Sequence, residues 1–225
     1  MALCSEKLRT IALQHIRARA FDKNLENGTI QPKDGWRNDR TASEILTDLY
    51  GIQASFDYIR ATFQNQPQVL FVGESVGNGI AELQKQYIAE GINFFATSLR
   101  RTPTIISNIG LDHLFFTSAE QMKGIPEHSM HGVFSLFGIS YADPEFAMRG
   151  VDHVLSDGGI FKASFCEDTK FGSQKATDFV EALDRIGGYG IHVHEETMQI
   201  VVAIKNRSNN LALDILIKDH ASFFR

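Results

Sequence analysis

The amino-acid sequence predicts an α/β fold with a mostly parallel sheet, and three observations support this prediction. The apolar run 69–72 passes directly into a glycine-containing turn and then into a segment with helical periodicity. A second apolar run, 133–137, has the near-continuous hydrophobicity of a strand that is covered on both faces. Strand and helix patterns then alternate as far as residue 186, and such alternation favours parallel strands joined by helices.

The chain before the first strand is predicted to contain helices and one polar loop. An apolar stripe at helical spacing is formed by Leu8, Ile11, Ala12 and Ile16. Residues 22–40 are polar and contain the only tryptophan, Trp36, so we predict a loop there. The residues Thr41 to Glu44 fit a capping box, which predicts a helix that continues to about Phe63.

After the first strand, a second strand is predicted at Ile92–Thr97, followed later by the apolar strand already described. Asp143 and Pro144 provide a helix cap and a proline at the first helical position. We expect the glycines of Asp157-Gly158-Gly159 to end that helix and to lead into a strand at Ile160–Phe165.

The C-terminal part of the chain is predicted to contain one more helix and a hairpin. Ser173 is placed to cap this helix, and Gly187-Gly188 end it. Two alternating segments, Ile191–His194 and Met198–Lys205, then indicate two strands joined by a short turn.

Composition sets broad limits on organisation and location. The 225 residues, 43% of them hydrophobic, predict an N-terminal extension at 1–40 and one domain with a sizeable core at 41–225. The net charge of -5 does not favour nucleic acid as a partner.

No apolar run approaches the roughly 18 residues of a membrane span, and the first residues lack a signal-peptide core, so we expect a cytoplasmic protein without membrane contact. Cys4 and Cys166 suggest no disulfide framework.

The glycine turn after the first strand is the strongest indication of a ligand site. Gly73, Gly77 and Gly79 precede a predicted helix, an arrangement that brings backbone N–H groups to a polar ligand. The dinucleotide pattern G-x-G-x-x-G fails because Ser75 and Asn78 occupy its second and third glycine positions. The chain also has no G-K-S or G-K-T tripeptide, which excludes a phosphate-binding P-loop.

Several segments together resemble the class I S-adenosylmethionine (SAM)-dependent methyltransferases of the small-molecule type. They are the glycine turn 73–79, the tripeptide Ser118-Ala119-Glu120, the strand region Ser129–Gly138 and the helix end at 154–159. Their order and spacing match over residues 41–205. The resemblance implies a Rossmann-like, seven-stranded, mostly parallel sheet closed by a C-terminal antiparallel hairpin. It also implies S-adenosylmethionine as cofactor and a small-molecule methyl acceptor.

The resemblance further implies which residues bind the cofactor. They are Gly73, Glu74, Ser75, Gly77, Ser98, Leu99, Ser118, Ala119, Glu120 and Phe137. Four positions that are usually acidic in the family carry other residues here, namely Phe71, Ser98, Ser118 and His131. Replacing a charged hydrogen-bond partner by a neutral one costs about 1–2 kcal/mol. Several such losses, if additive, move a site from micromolar toward millimolar affinity.

Methyl transfer requires few side chains because the sulfonium methyl group is already activated. His131 and Tyr141 are the candidate catalytic residues, if a base is needed. His192 and His194 share one strand face, which suits either metal binding or an ordinary surface position, and we expect no metal site.

Three alternatives remain open at this stage. Arg100 and Arg101 follow Ser98, as in sites that accommodate a 2′-phosphate, although the failed dinucleotide pattern argues against such a site. In the resembled family the N-terminal helices often cover the cofactor, with Trp36 here as a candidate lid, or they pack on the sheet edge. The chain is either an active methyltransferase or a degenerate member that serves as a binding or regulatory module, with a protein partner possible in the second case.

Overall fold

The computed structural model describes residues 40–49, 51–74, 77–99, 101–165, 175–195 and 199–205. The predicted N-terminal helix, Trp36, Ser75, Arg100 and the Ser173 cap lie outside these described residues.

Helices and strands alternate along the described chain, as the sequence predicts. The helices are α1 (Ala42–Asp48), α2 (Ile52–Thr62), α3 (Asn78–Tyr87), α4 (Pro103–Ile109), α5 (Pro144–Val154) and α6 (Ala176–Ile186). The strands are β1 (Gln68–Phe71), β2 (Asn93–Thr97), β3 (Leu114–Phe115), β4 (Met130–Leu136), β5 (Leu155–Phe165), β6 (Tyr189–Glu195) and β7 (Gln199–Lys205). None of the described helices is long and apolar enough to span a membrane.

The strands form one seven-stranded sheet in the order β3-β2-β1-β4-β5-β7-β6. The pairs from β3 through β5 are parallel, whereas β7 runs antiparallel to both β5 and β6. This confirms the predicted mostly parallel sheet with a C-terminal antiparallel hairpin. The strand order reverses between β1 and β4, and in open α/β sheets a ligand binds at the carboxyl ends of the strands beside such a reversal.

The two faces of the sheet are covered by separate hydrophobic cores. On one face α1–α4 pack over alternate residues of β1, β2 and β4, with Phe56 of α2 at the centre. The Phe56 ring makes edge contacts with the rings of Tyr87, Phe94 and Phe134 at 5.2–5.6 Å between centroids. On the other face α5 and α6 pack over the intervening residues. Burial on both faces explains why the central strands are almost continuously apolar.

The helix predicted from Thr41 to Phe63 is wrong in one respect, because the chain forms two helices there. The Thr41–Glu44 capping box is confirmed, with both reciprocal bonds present. However, α1 ends at Asp48, and Gly51 takes a left-handed conformation with φ of +65° before α2 starts. Glycine adopts this conformation without a steric penalty, so it divides a segment whose apolar periodicity continues on both sides.

The predicted boundary between α5 and the following strand also needs correction. The Asp143 cap and the Pro144 start are confirmed. The helix ends at Val154, and β5 starts at Leu155, so Gly158 and Gly159 lie inside the strand and do not end the helix. The pairing of β5 with β4 shifts register at this point, which is how a strand accommodates extra residues.

Candidate functional site

A cleft opens at the carboxyl ends of β1–β4, beside the reversal of strand order. Its empty volume is about 460 Å³, which includes space open to solvent. The loops that follow all four strands contribute to its wall. The lining residues are Val72, Gly73, Thr97, Leu99, Thr117, Ser118, Ala119, Glu120, Gly138, Tyr141 and Ala142.

The glycine turn after β1 is held against the end of β2. Gly73 has φ of +84°, a conformation that side-chain-bearing residues rarely adopt. Its N–H donates to Thr97 Oγ1 at 3.0 Å, and the N–H of Glu74 donates to the Thr97 carbonyl at 3.0 Å. Thr97 therefore fixes the backbone of the turn with both its side chain and its main chain.

The opposite wall is formed by the turn after β4, where Gly138 meets Gly73. A Cβ atom on Gly73 would lie 2.8 Å from the Cα of Gly138, so the two backbones are in contact. Ser135 supports this turn because its hydroxyl donates to the Val72 carbonyl at 3.0 Å and accepts from the Ile139 N–H at 2.9 Å. Phe137, a predicted cofactor residue, precedes Gly138 and has φ of +64°.

The end of β2 supplies Ser98 and Leu99 next to the cleft. Ser98 is buried, and its N–H donates to the Phe115 carbonyl at 3.0 Å. Leu99 lines the cleft and is 42% exposed. An exposed leucine in a concave wall provides an apolar surface for a flat ligand ring.

The loop after β3 places Ser118, Ala119 and Glu120 in the lining of the cleft. The hydroxyl oxygen of Ser118 is buried and has no hydrogen-bond partner in the described part of the chain. An unsatisfied buried polar atom costs about 1–3 kcal/mol, so a ligand that hydrogen-bonds to it is favoured. The Glu120 carboxylate accepts weakly from the Asp143 N–H at 3.4 Å.

Glu74 directly follows Gly73, is not among the residues that line the cleft, and has a partly buried side chain. Burial raises the pKa of its carboxyl to about 7, although the nearby positive charge of Arg40 acts in the opposite direction. The Arg40 guanidinium also forms an ion pair with Asp48 and lies 5.1 Å from the ring centroid of Phe137. A carboxyl group with a pKa near 7 is unusual and often marks a functional site.

The structure does not bring His131 to the cleft, whereas Tyr141 lines it. His131 lies at the start of β4, at the opposite edge of the sheet, where its Nδ1 accepts from the Gln68 N–H at 2.8 Å. Its ring packs on Phe63 with 4.2 Å between centroids, and burial lowers the pKa of the imidazole. This position gives His131 a role in packing and leaves Tyr141 as the candidate near the reacting groups.

Gly77 was also predicted to bind the cofactor, but in the structure it packs against a neighbouring helix. It precedes α3 with φ of +77°, and a Cβ atom there would lie 2.5 Å from the Ile109 side chain of α4. Phe71, at one of the usually acidic positions, is fully buried, so it offers no group to a ligand.

Sequence reasoning missed several lining residues, notably Thr97, Thr117 and Gly138. Thr97 ends a predicted strand, so its place beside the glycine turn follows once β1 and β2 are paired. Thr117 Oγ1 accepts from the Lys123 N–H at 2.8 Å and orders the loop after β3. The contact made by Gly138 joins residues far apart in the chain, and no local pattern signals it.

Among the described residues, no group of three or more His, Cys, Asp and Glu side chains is arranged to hold a metal ion. His192 lies on β6 and is partly exposed.

Comparison with known proteins gives matches only at the level of structure. No protein-family model and no curated protein matches the sequence. Geranyl diphosphate C-methyltransferase from Streptomyces coelicolor A3(2) is similar with a TM-score of 0.53 and 9% identity, over 69% of this chain and 78% of that one. The 1,6-didemethyltoxoflavin-N1-methyltransferase from Burkholderia thailandensis gives a TM-score of 0.51 and 14% identity, over 86% of this chain and 88% of that one. Both were solved with S-adenosylhomocysteine.

At sequence identities of 9% and 14%, the structural similarity to these enzymes establishes the fold alone. The strand order, the single antiparallel strand and the solved structures agree that the chain has the Rossmann-like fold of the class I SAM-dependent methyltransferases. The resemblance seen in the sequence is thereby confirmed for the fold.

Proposed function

We propose that the chain is a SAM-dependent methyltransferase that acts on a small-molecule acceptor. The observation that carries this proposal is the cleft at the carboxyl ends of β1–β4, where Gly73 and Gly138 expose backbone and Ser118 presents an unpaired hydroxyl. The solved structures with the same fold support the choice of cofactor, since they contain S-adenosylhomocysteine, the product that remains after methyl transfer.

The residues of the cleft fit the adenosine part of this cofactor. Leu99 offers an apolar surface for the adenine ring, and the orphan Ser118 oxygen is an acceptor for its amino group. Gly73 and Gly138 allow the rest of the molecule to approach the main chain, because neither carries a side chain. SAM supplies an activated methyl group, and the protein has to position the acceptor and exclude water.

Tyr141 is the residue that we propose for contact with the acceptor. It follows Gly138 in the turn after β4 and lines the cleft, which places it where an acceptor beside the cofactor would be held and oriented. A small acceptor is favoured because the comparison proteins are named for small substrates, and the net charge of -5 does not favour nucleic acid.

A second candidate function, a binding or regulatory module without catalysis, is favoured by the substitutions at the acidic positions. Phe71 is enclosed in the aromatic core, and serines occupy positions 98 and 118. Such a site has fewer charged contacts for the cofactor, which lowers its affinity. Under this alternative the cleft and the sheet serve to bind a protein or metabolite partner.

Isothermal titration of the purified protein with SAM, S-adenosylhomocysteine and NADP⁺ tests these proposals. Micromolar binding of SAM or S-adenosylhomocysteine without binding of NADP⁺ supports the methyltransferase. If neither ligand binds at concentrations up to about 1 mM, the binding free energy is weaker than about 4 kcal/mol. This result contradicts the methyltransferase proposal and favours the non-catalytic module. Binding of NADP⁺ alone reassigns the cleft to a dinucleotide.

A further inference from the structure

Glu120 is the acidic residue in a cleft wall whose other described residues are apolar or carry only a hydroxyl group. Those residues are glycine, alanine, valine, leucine, threonine, serine and tyrosine, and none of them is acidic or basic at neutral pH. The Glu120 side chain is partly buried. A carboxylate that is partly removed from water is best compensated by a positive charge or an N–H donor. The wall therefore favours a ligand with a basic nitrogen at this point.

Two contacts fix Glu120 beside the start of α5. Its carboxylate accepts from the Asp143 N–H at 3.4 Å, so it joins the loop after β3 to the turn after β4. The preceding residue, Ala119, packs closely on α5, because a Cβ atom on Gly150 would lie 2.3 Å from the Ala119 carbonyl oxygen. The carboxylate is thereby held near the turn that carries Tyr141, two residues before Asp143.

The two ligands of the proposed reaction call for different groups in the cleft. The Ser118 oxygen is already proposed to accept from the adenine amino group. The resemblance seen in the sequence places Glu120 among the cofactor residues as well. However, its bond to Asp143 places the carboxylate at the turn of Tyr141, which we propose for contact with the acceptor. This position favours a contact between Glu120 and the acceptor.

We propose that the methyl acceptor is an amine and that the Glu120 carboxylate binds its nitrogen. This inference rests on the proposed function and names the chemical class of the acceptor. An alkylamine is an ammonium ion at neutral pH, so it pairs with a carboxylate but has no free lone pair. When a proton passes from the nitrogen to the Glu120 carboxylate, the freed lone pair forms the bond to the methyl carbon. The bond from that carbon to sulfur breaks, and its electron pair stays on sulfur.

A library of alkyl and aryl amines, each paired with the alcohol of the same carbon skeleton, tests this assignment. Transfer of a tritiated methyl group from SAM is measured for the wild-type protein, Glu120→Gln and the control Glu181→Gln, which changes an exposed residue of α6 paired with Arg185. Glutamine keeps an oxygen for the Asp143 N–H, so Glu120→Gln removes the charge and retains the structural contact. The wild-type protein and the control should methylate amines about 10-fold faster than alcohols or better, and Glu120→Gln should lose this preference.

Titration with S-adenosylhomocysteine separates the acceptor from the cofactor. Its affinity should be the same for Glu120→Gln and the wild-type protein, which also shows that the variant is folded. A loss of about 10-fold or more would return Glu120 to the cofactor and overturn the assignment.

Three results of the transfer assay would also overturn the assignment. They are a preference for alcohols, an amine preference that survives in Glu120→Gln, and no transfer to either class by a protein that binds SAM. If the wild-type protein binds neither SAM nor S-adenosylhomocysteine, the proposed function itself fails, an outcome distinct from the failure of Glu120 alone.

Discussion

Gly73 and Gly138 touch through their backbones at the point where β1 and β4 end. A Cβ atom on Gly138 would lie 2.9 Å from the Cα of Gly73 and 2.6 Å from the Val72 carbonyl oxygen. Real Cβ atoms do not approach backbone atoms this closely, so any side chain at either position requires the two turns to separate. The contact therefore determines the width of the cleft at the reversal of strand order.

Gly73→Ala should destabilise the protein and abolish cofactor binding. The matched control is Gly91→Ala, because Gly91 has a similar left-handed φ, +78° against +84°, but nothing within 4 Å of an added Cβ. Both variants carry the strain of a left-handed alanine, about 1 kcal/mol. Gly73→Ala adds an overpacking cost of about 1–3 kcal/mol. Urea denaturation measures the difference, and equal destabilisation of the two variants would contradict the contact.

Ser135 is the second support of this contact, and Ser135→Ala tests it. Its buried hydroxyl joins the Val72 carbonyl to the Ile139 N–H. Alanine leaves both buried groups without that partner, so the free energy of unfolding should fall by about 2–4 kcal/mol. Ser129→Ala, which removes a single hydroxyl bond to the Pro126 carbonyl near the surface, should cost less than about 1 kcal/mol. If Ser135→Ala loses no more unfolding free energy than Ser129→Ala, the Ser135 hydroxyl does not support the turn after β4.

The sequence predicts the parts of the site that depend on local patterns. Gly73 follows an apolar strand and precedes a helix, so its turn is visible in the chain, as is the cap at Asp143. The Gly73–Gly138 contact and the two hydrogen bonds of Ser135 join segments that are far apart in the chain. No local sequence pattern predicts them, because they depend on how the strands pair in the sheet. His131 is a different kind of error, because it precedes the apolar run of β4 and therefore lies at the amino end of that strand, away from the carboxyl ends where the cleft opens.

Lys162 is a case in which the strand pattern conceals a charge. It lies at the centre of β5, is 1% exposed, and burial lowers the pKa of its ammonium to about 7. The sequence places it in an apolar strand, but the strand pattern does not reveal that the side chain points into a covered face.

Lys162→Met should stabilise the protein at neutral and acidic pH. The folded-state pKa lies below the ordinary value of 10.5, so between pH 7 and 10.5 the unfolded chain holds a proton that the folded chain has released. Wild-type stability should therefore rise relative to the variant by about 1.4 kcal/mol per pH unit in this window. Below pH 7 the advantage of Lys162→Met is constant and largest. Chemical denaturation at several pH values measures it, and a difference independent of pH would show that Lys162 stays charged when buried.

Arg40→Gln tests the electrostatic link between Arg40 and Glu74. The Arg40 charge lowers the pKa of the Glu74 carboxyl against the effect of burial, so its removal should raise that pKa above about 7. The titration midpoint of the Glu74 carboxyl, followed by NMR of the glutamate side chains, should therefore move to higher pH. Arg149→Gln is the control, since Arg149 is exposed on α5 and paired with Glu145 at 3.3 Å. Titrations from pH 6 to pH 8.5 should leave the control unchanged. A Glu74 midpoint in Arg40→Gln that coincides with the wild-type value would show that the Arg40 charge does not act on Glu74.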